Sequence, residues 1–323
     1  MGMLINGEWN TDPPPNTDRK GRFMRQETVF RDWITADGAG GFKAEAGRYH
    51  LYVSLACPWA HRTLIMRRLK GLEQAITLSV VDHFMGDQGW RFSDAPGAIP
   101  DSVNGAGLLQ EVYLAADSNY TGRVSVPVLW DKAGGTIVNN ESIEIMRMMD
   151  TAFDSAGKVE TSYYPPDLAE QVDQIIGENY DTINNGVYRA GFAQTQLAHE
   201  EAVRELFAAL DRCEEVLGRQ RYLAGDVITE ADWCLFTTLI RFDMVYFTHF
   251  KCNLRRISDY PNLWNYLREL YQVPGVAETC DFEHIKRHYY ESHTSLNPLG
   301  IVPLGPADLD FSEPHDRAGK FAA

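Results

Sequence analysis

Cysteine is scarce in this chain and poorly spaced for structural use: Cys57, Cys213, Cys234, Cys252 and Cys280 make five, an odd number with no Cys-x-x-Cys pair and no metal-ligand spacing. That excludes a disulfide framework and predicts reduced thiols in a cytoplasmic compartment. Long apolar runs are missing as well. With none able to span a bilayer, and no basic segment leading into an apolar core near the start, a soluble, unexported protein is expected. Positive charge is in deficit, 30 Lys and Arg against 45 Asp and Glu, for a formal net charge of −15. A nucleic-acid backbone or an anionic membrane surface attracts the opposite sign, so neither is an expected partner. Gly38-Ala39-Gly40-Gly41 lacks the Lys-Ser/Thr that completes a phosphate loop, which leaves nucleotide binding without support. His284, His288 and His293 with Glu283 include an i, i+4 pair on one helix face, but there is no His-Glu-x-x-His and no obvious further ligand, so no metal is expected. Internal repeats and low-complexity runs are absent too, and the class left is a globular protein with a small ligand.

What is present centres on residues 49–62, Tyr-His-Leu-Tyr-Val-Ser-Leu-Ala-Cys-Pro-Trp-Ala-His-Arg. Aromatic and β-branched residues over 49–55 predict a buried strand, and Leu64, Ile65, Leu69 and Leu72 recur at helical spacing after it. Pro58 suits the first helical position, where no N–H is needed. Cys57 therefore stands at a helix N-terminus, whose unpaired N–H groups and positive dipole end favour the thiolate, and His61 and Arg62 add positive charge nearby. The other reading of Cys57 is a cysteine that merely packs. Ala60 occupies the position three residues on, so the motif is a single thiol and a resolving thiol must come from outside.

A chain of 323 residues predicts two domains. Residues 1–45 read as an irregular arm anchored by Phe23, Phe30, Trp33 and Phe42. Residues 46–155 read as an α/β domain: the Cys57 strand and helix, a second strand at 75–81, then a hairpin of strands at 124–130 and 136–138 and a helix opening at Asn140-Glu141-Ser142. Residues 83–122, rich in Gly, Asp and Asn, break the pattern as a long inserted loop. Residues 165–323 read as an all-helical domain with helices near 167–184, 197–217, 230–246 and 263–271 and an irregular C-terminal tail from Asn297. Thr229-Glu230-Ala231-Asp232 has the form of an N-cap with an acidic residue three positions on.

Cys-Pro-Trp-Ala within Ser-Leu-Ala-Cys-Pro-Trp-Ala-His-Arg resembles the signature of the glutathionyl-hydroquinone reductases, the Xi-class glutathione transferases. Gly89-Trp90-Arg91-Phe92, residues 121–132 and Ile137-Val138-Asn139-Asn140-Glu141-Ser142 follow the same family pattern in order, so the resemblance covers nearly the whole chain. It implies a glutathione transferase fold, a thioredoxin-like N-terminal domain followed by a helical C-terminal domain, and a homodimer. It also implies glutathione as co-substrate and aromatic glutathionyl-hydroquinone conjugates as substrates, reduced to hydroquinones with release of glutathione disulfide through a Cys57–glutathione mixed disulfide.

The implied site is assigned residue by residue. Glu141 and Ser142, at a helix N-terminus, would take the γ-glutamyl ammonium and carboxylate groups, or serve as an ordinary helix cap. Val126, with a cis peptide before Pro127, would pair its backbone with the cysteinyl part of glutathione. Arg123 would clamp a carboxylate and Trp90 would cover the ligand; a solvated Arg and a core Trp are the plainer readings. Tyr188 and Tyr289 resemble the family's substrate-site tyrosines, with Tyr290 as an alternative to its neighbour. An omega-like thioltransferase or dehydroascorbate reductase uses the same thiol, and a conventional conjugating transferase or a non-catalytic glutathione-binding module are the remaining alternatives.

Overall fold

The computed structural model describes residues 2–153, 157, 159 and 161–322. The expected domain limit at 155, like the end limits 1 and 323, lies outside the described residues. The chain divides into two compact units, each assembled from separate stretches of sequence. The first comprises Met1–Pro15, Gln26–Thr161 and Glu278–Ile301; the second comprises Asn16–Arg25, Ser162–Ala277 and Val302–Ala323.

In chain order the strands are β1 (Met3–Ile5), β2 (Glu8–Asn10), β3 (Ile34–Thr35), β4 (Phe42–Lys43), β5 (Tyr49–Val53), β6 (Ile76–Val80), β7 (Val128–Asp131) and β8 (Thr136–Asn139). The helices of the first unit are α1 (Pro58–Leu69), α2 (Leu109–Ala116), α3 (Ser142–Thr151) and, far later in sequence, α9 (Phe282–Ser292). Those of the second are α4 (Ala169–Asn179), α5 (Gly186–Gly191), α6 (Gln196–Arg219), α7 (Glu230–Arg241), α8 (Pro261–Tyr271) and α10 (Arg317–Lys320).

The first unit is built on a four-stranded sheet in the order β6-β5-β7-β8. β5 pairs parallel with β6 and antiparallel with β7, and β7 pairs antiparallel with β8, which is the expected β-α-β then β-β-α layout. All five residues of β5 are buried, as befits an internal strand. Each large apolar side chain buried here, such as Leu51, Val53, Leu64 or Ile65, contributes about 1.5–3 kcal/mol relative to exposure. Lys70, just past α1, forms a buried ion pair with Asp150 of α3 at 3.3 Å and donates to the Thr161 carbonyl at 2.9 Å. Removing one partner of such a pair strands the other charge and costs about 3–5 kcal/mol.

Several local expectations shift. β7 begins at Val128 and not at 124, because Pro127 has no N–H to give to a ladder. The stretch 83–122, read as a loop, contains α2, whose buried Leu109, Val112 and Tyr113 have the i, i+3, i+4 spacing of a helix face. The arm contains the hairpin β1–β2, turned at Asn6 and Gly7, both at positive φ (49° and 81°). That is the backbone a two-residue hairpin turn demands, and a Cβ on Gly7 would lie 2.1 Å from the Ser118 carbonyl oxygen. Of the proposed anchors, Phe30 stacks with Tyr120 and Phe23 packs on Phe192, whereas Trp33 is exposed.

In the second unit, the helical periodicities at 167–184 and 230–246 each end in a π turn, Tyr180–Asn184 after α4 and Phe242–Tyr246 after α7. The wider turns are closed by Asn185 N–H to the Tyr180 carbonyl at 2.7 Å and Phe247 N–H to the Phe242 carbonyl at 2.9 Å. Hydrophobic spacing hardly separates a π turn from an α turn over five residues, so the two read alike in sequence. At the start of α7, Thr229 and Asp232 form the expected capping box.

Candidate active site

Cys57 is the N-cap residue of α1, with extended backbone (φ −76°, ψ 121°) and Pro58 in the first turn. Its carbonyl accepts the His61 N–H at 3.0 Å, which fixes the thiol at the entry to the helix. Cys57 is half-buried, and its Sγ–H donates to the Val126 carbonyl at 3.6 Å. The Val126–Pro127 peptide is cis. The two residues expected to add positive charge near the thiol, His61 and Arg62, are both buried on α1. The His61 ring is buried, with Nε2 2.8 Å from Thr279 Oγ1 and 3.8 Å from Cys280 Sγ. Arg62 is buried with its guanidinium 4.5 Å above the Trp59 ring and donates to Ser142 Oγ at 3.4 Å, so it links α1 to the start of α3.

That start is built by its neighbours. Asn139 Oδ1 accepts the Glu141 N–H at 2.7 Å, and Glu141 is the N-cap of α3, accepting the Ile143 N–H at 3.5 Å. The Glu141 carboxylate also accepts from Thr28 Oγ1 at 3.2 Å and Ser142 Oγ at 3.5 Å. An anion at this end of α3 is favoured by the helix dipole. Arg123, half-buried, donates from its guanidinium to the carbonyls of Gly2 at 3.2 Å and Pro14 at 3.3 Å, and its backbone N–H donates to Gln26 Oε1 at 3.0 Å. Burial pulls its pKa below the usual arginine value. Thr28 and Gln26 are partners that the sequence reading missed, since a hydroxyl and an amide in an irregular segment carry no pattern of their own.

Trp90 is buried and stacks on His288 of α9, ring centroids 4.7 Å apart and planes at 24°. The next residue, Tyr289, is buried edge-on to His288 and His293, each at 5.3 Å. Tyr290 is also buried, and its carbonyl accepts from Asn297 Nδ2 at 2.7 Å. Cys57, Trp90, Arg123, Val126, Glu141, Ser142 and Tyr289 thus all belong to the first unit. Tyr188, on α5, belongs to the second, where Arg25 lies 4.7 Å over its ring and Phe250 packs at 5.4 Å. Among the described residues, no His, Cys, Asp and Glu side chains gather into a group able to hold a metal ion. No helix among them is long and apolar enough to cross a membrane.

The family described as "Glutathione S-transferase, N-terminal domain" matches residues 56–152, and "Glutathione S-transferase, C-terminal domain" matches residues 196–269. The chain is 54% identical to glutathionyl-hydroquinone reductase YqjG of Escherichia coli over 99% of this chain and 100% of that protein. A glutathione-bound structure of YqjG superposes with a TM-score of 0.91 at 53% identity, covering 99% of this chain and 100% of that one. Identity to glutathionyl-hydroquinone reductase PcpF of Sphingobium chlorophenolicum is 52%, over 95% of this chain and 97% of that protein. The structure of a Xi-class glutathione transferase from Natrialba magadii gives a TM-score of 0.94 at 54% identity, covering 99% of this chain and 97% of that one. With the thioredoxin-like sheet, the single thiol at the head of α1 and the helical second unit, these matches place the chain in the glutathione transferase superfamily, as a member of its Xi-class, glutathionyl-hydroquinone reductase family.

Proposed function

We propose that this protein reduces glutathionyl-hydroquinones to hydroquinones with glutathione as the reductant. The observation that carries the reading is Cys57, a single half-buried thiol at the N-terminus of α1 and beside the Val126 carbonyl, in a chain more than half identical to YqjG, which is named for this reaction. The helix N-terminus favours the thiolate. That thiolate attacks the glutathione sulfur of the conjugate, forming an S–S bond as the aryl C–S bond breaks. The electron pair stays on the ring carbon, which takes a proton from Tyr289, Tyr290 or Tyr188; cysteine sulfur is oxidised and the ring is reduced. A second glutathione thiolate then displaces Cys57 from the mixed disulfide and leaves as glutathione disulfide. With Ala60 three residues on, there is no Cys-x-x-Cys partner to take that step.

In the same reading Ser142 and the first turn of α3 hold the γ-glutamyl carboxylate while Glu141 faces its ammonium group. Val126 pairs with the cysteinyl backbone, Arg123 supplies a carboxylate clamp and Trp90 covers the ligand. Tyr188, on α5, enters this reading through its likeness to the family's substrate-site tyrosines. Family membership also supports a homodimer in the cytoplasm, and the native mass of the protein in solution checks the dimer.

Hydroquinone release from a glutathionyl-hydroquinone with excess glutathione, compared between wild type and Cys57→Ser, tests the reaction, with the intact mass taken before glutathione is added. The expected result is release lost in Cys57→Ser, by a factor of about 10³ or more, and one added glutathione on the wild-type chain. Conjugation of glutathione to an electrophile that survives Cys57→Ser, with no hydroquinone released by the wild type, would replace this reading with a conventional transferase.

A further inference from the structure

The imidazole of His288 has no part in the proposed reaction, yet it joins two pieces of the candidate site. One face stacks on Trp90 at 4.7 Å, nearly parallel, and one edge meets Tyr289 at 5.3 Å. Its Nδ1 is 2.8 Å from the His83 carbonyl oxygen; because a carbonyl can only accept, Nδ1 carries the proton and the ring plane is fixed by that bond. His83 and Trp90 lie on the same long insertion, so His288 is gripped by that segment twice, once through its main chain and once through the indole.

The grip is itself braced. The His83 ring sits between the Asp82 carboxylate at 3.2 Å and the Glu291 carboxylate at 3.1 Å, and the Met85 N–H donates to Ser292 Oγ at 3.0 Å. Asp82 in turn accepts from Ser93 Oγ at 2.7 Å and the Phe84 N–H at 2.9 Å. α9 and the first residues of the insertion are therefore held in register, and the aromatic face of α9 stacked on Trp90 is that of His288.

We propose that His288 is a positioning residue: it holds the Trp90 indole in the plane that covers glutathione and glutathione conjugates, and it transfers no proton. The inference rests on the proposed role of Trp90 as the ligand cover. A stacked aromatic pair contributes enough that losing it weakens binding about fivefold. His288→Ala and His288→Asn, the second keeping a donor for the His83 carbonyl without a ring, are expected to raise the KM for a glutathionyl-hydroquinone and the calorimetric Kd for glutathione by about that factor. The kcat and the shape of its pH profile should stay as in wild type. His288→Phe, which restores a ring face, should bring both constants back towards wild type, and the Phe/Asn pair carries the comparison if the Ala variant does not fold.

Unchanged Kd and KM in His288→Asn would overturn the proposal. So would a kcat lost in His288→Phe together with one limb of the pH profile, which would make His288 an acid–base group. Should the wild type bind glutathione but release no hydroquinone, the proposed reaction fails, and the Kd comparison alone decides the role of His288.

Discussion

In the proposed reaction the ring carbon takes its proton from one particular hydroxyl. Tyr289 and Tyr290 are both buried on α9, but neighbouring helical positions point about 100° apart, so they cannot serve the same ligand equally. Tyr289 packs against His288, the stacking partner of Trp90, and is therefore the better placed of the two. Tyr289→Phe is expected to lower kcat for hydroquinone release about 100-fold, and Tyr290→Phe less than about threefold. Steady-state release assays decide it, and the opposite ranking would move the role to Tyr290. Arg123 shows how a residue can be singled out by type while its surroundings stay hidden. Its guanidinium fork suited a carboxylate clamp, yet the partners seen are the main-chain carbonyls of Gly2 and Pro14, more than a hundred positions away in sequence.

The elements owe much of their definition to their ends. Asp232, fully buried in the first turn of α7, accepts from the Leu223 N–H at 2.9 Å, the Thr229 N–H at 2.8 Å, Thr229 Oγ1 at 3.0 Å and Tyr266 Oη at 2.7 Å. Burial pushes its carboxyl pKa upward against the pull of those donors. Replacing it leaves two backbone N–H groups and a phenol buried without an acceptor. Asp232→Ala should therefore lower stability by about 3 kcal/mol, and Asp232→Asn should recover only part, because the amide turns an N–H₂ toward other donors. Urea denaturation reads the loss; an unchanged midpoint in Asp232→Ala would remove the capping box from the account of α7. This box was visible in Thr229-Glu230-Ala231-Asp232, since capping is local. α2 was not, because the Gly, Asp and Asn around it mask a helix of eight residues.

For the molecule as a whole, acid stability follows from histidines buried in the neutral form. Burial pushes His50 down to about 4 from an ordinary 6.5, with Nδ1 2.7 Å from Thr77 Oγ1 and Nε2 3.0 Å from Ser79 Oγ; burial likewise pushes His249 down to about 4. Because the folded values lie below the unfolded one, the unfolded chain takes up protons that the native chain refuses. Stability is then full above pH 6.5 and falls as the pH drops from there towards 4, by up to about 3 kcal/mol for His50. The carboxyls of Asp82 and Asp131 would rise with burial, but hydrogen bonds from Ser93 and Arg48 bring both below 3.8, so their contribution is lost only under more acidic conditions. Urea midpoints at pH 7.5, 6 and 5 should decline in the wild type and decline less in His50→Gln. Equal slopes would show that His50 does not govern the loss.

By itself the sequence determined whatever depends on a few neighbouring residues. Cys57 before Pro58 marks a helix start with a thiol on it, Glu141-Ser142 marks another, and the aromatic and β-branched runs and the period-3.6 runs locate the sheet strands and the long helices, because these signals act within a turn or a strand. Family likeness extended this to glutathione and to the cis peptide at Pro127. Only the tertiary structure decided what lies side by side across long separations. It returned α9, and with it Tyr289 and His288, to the unit that holds Cys57 and Trp90, and it set residues of the N-terminal segment against Arg123 and Glu141. Such contacts are chosen by packing and by the need to satisfy buried polar groups, and a local pattern does not encode them.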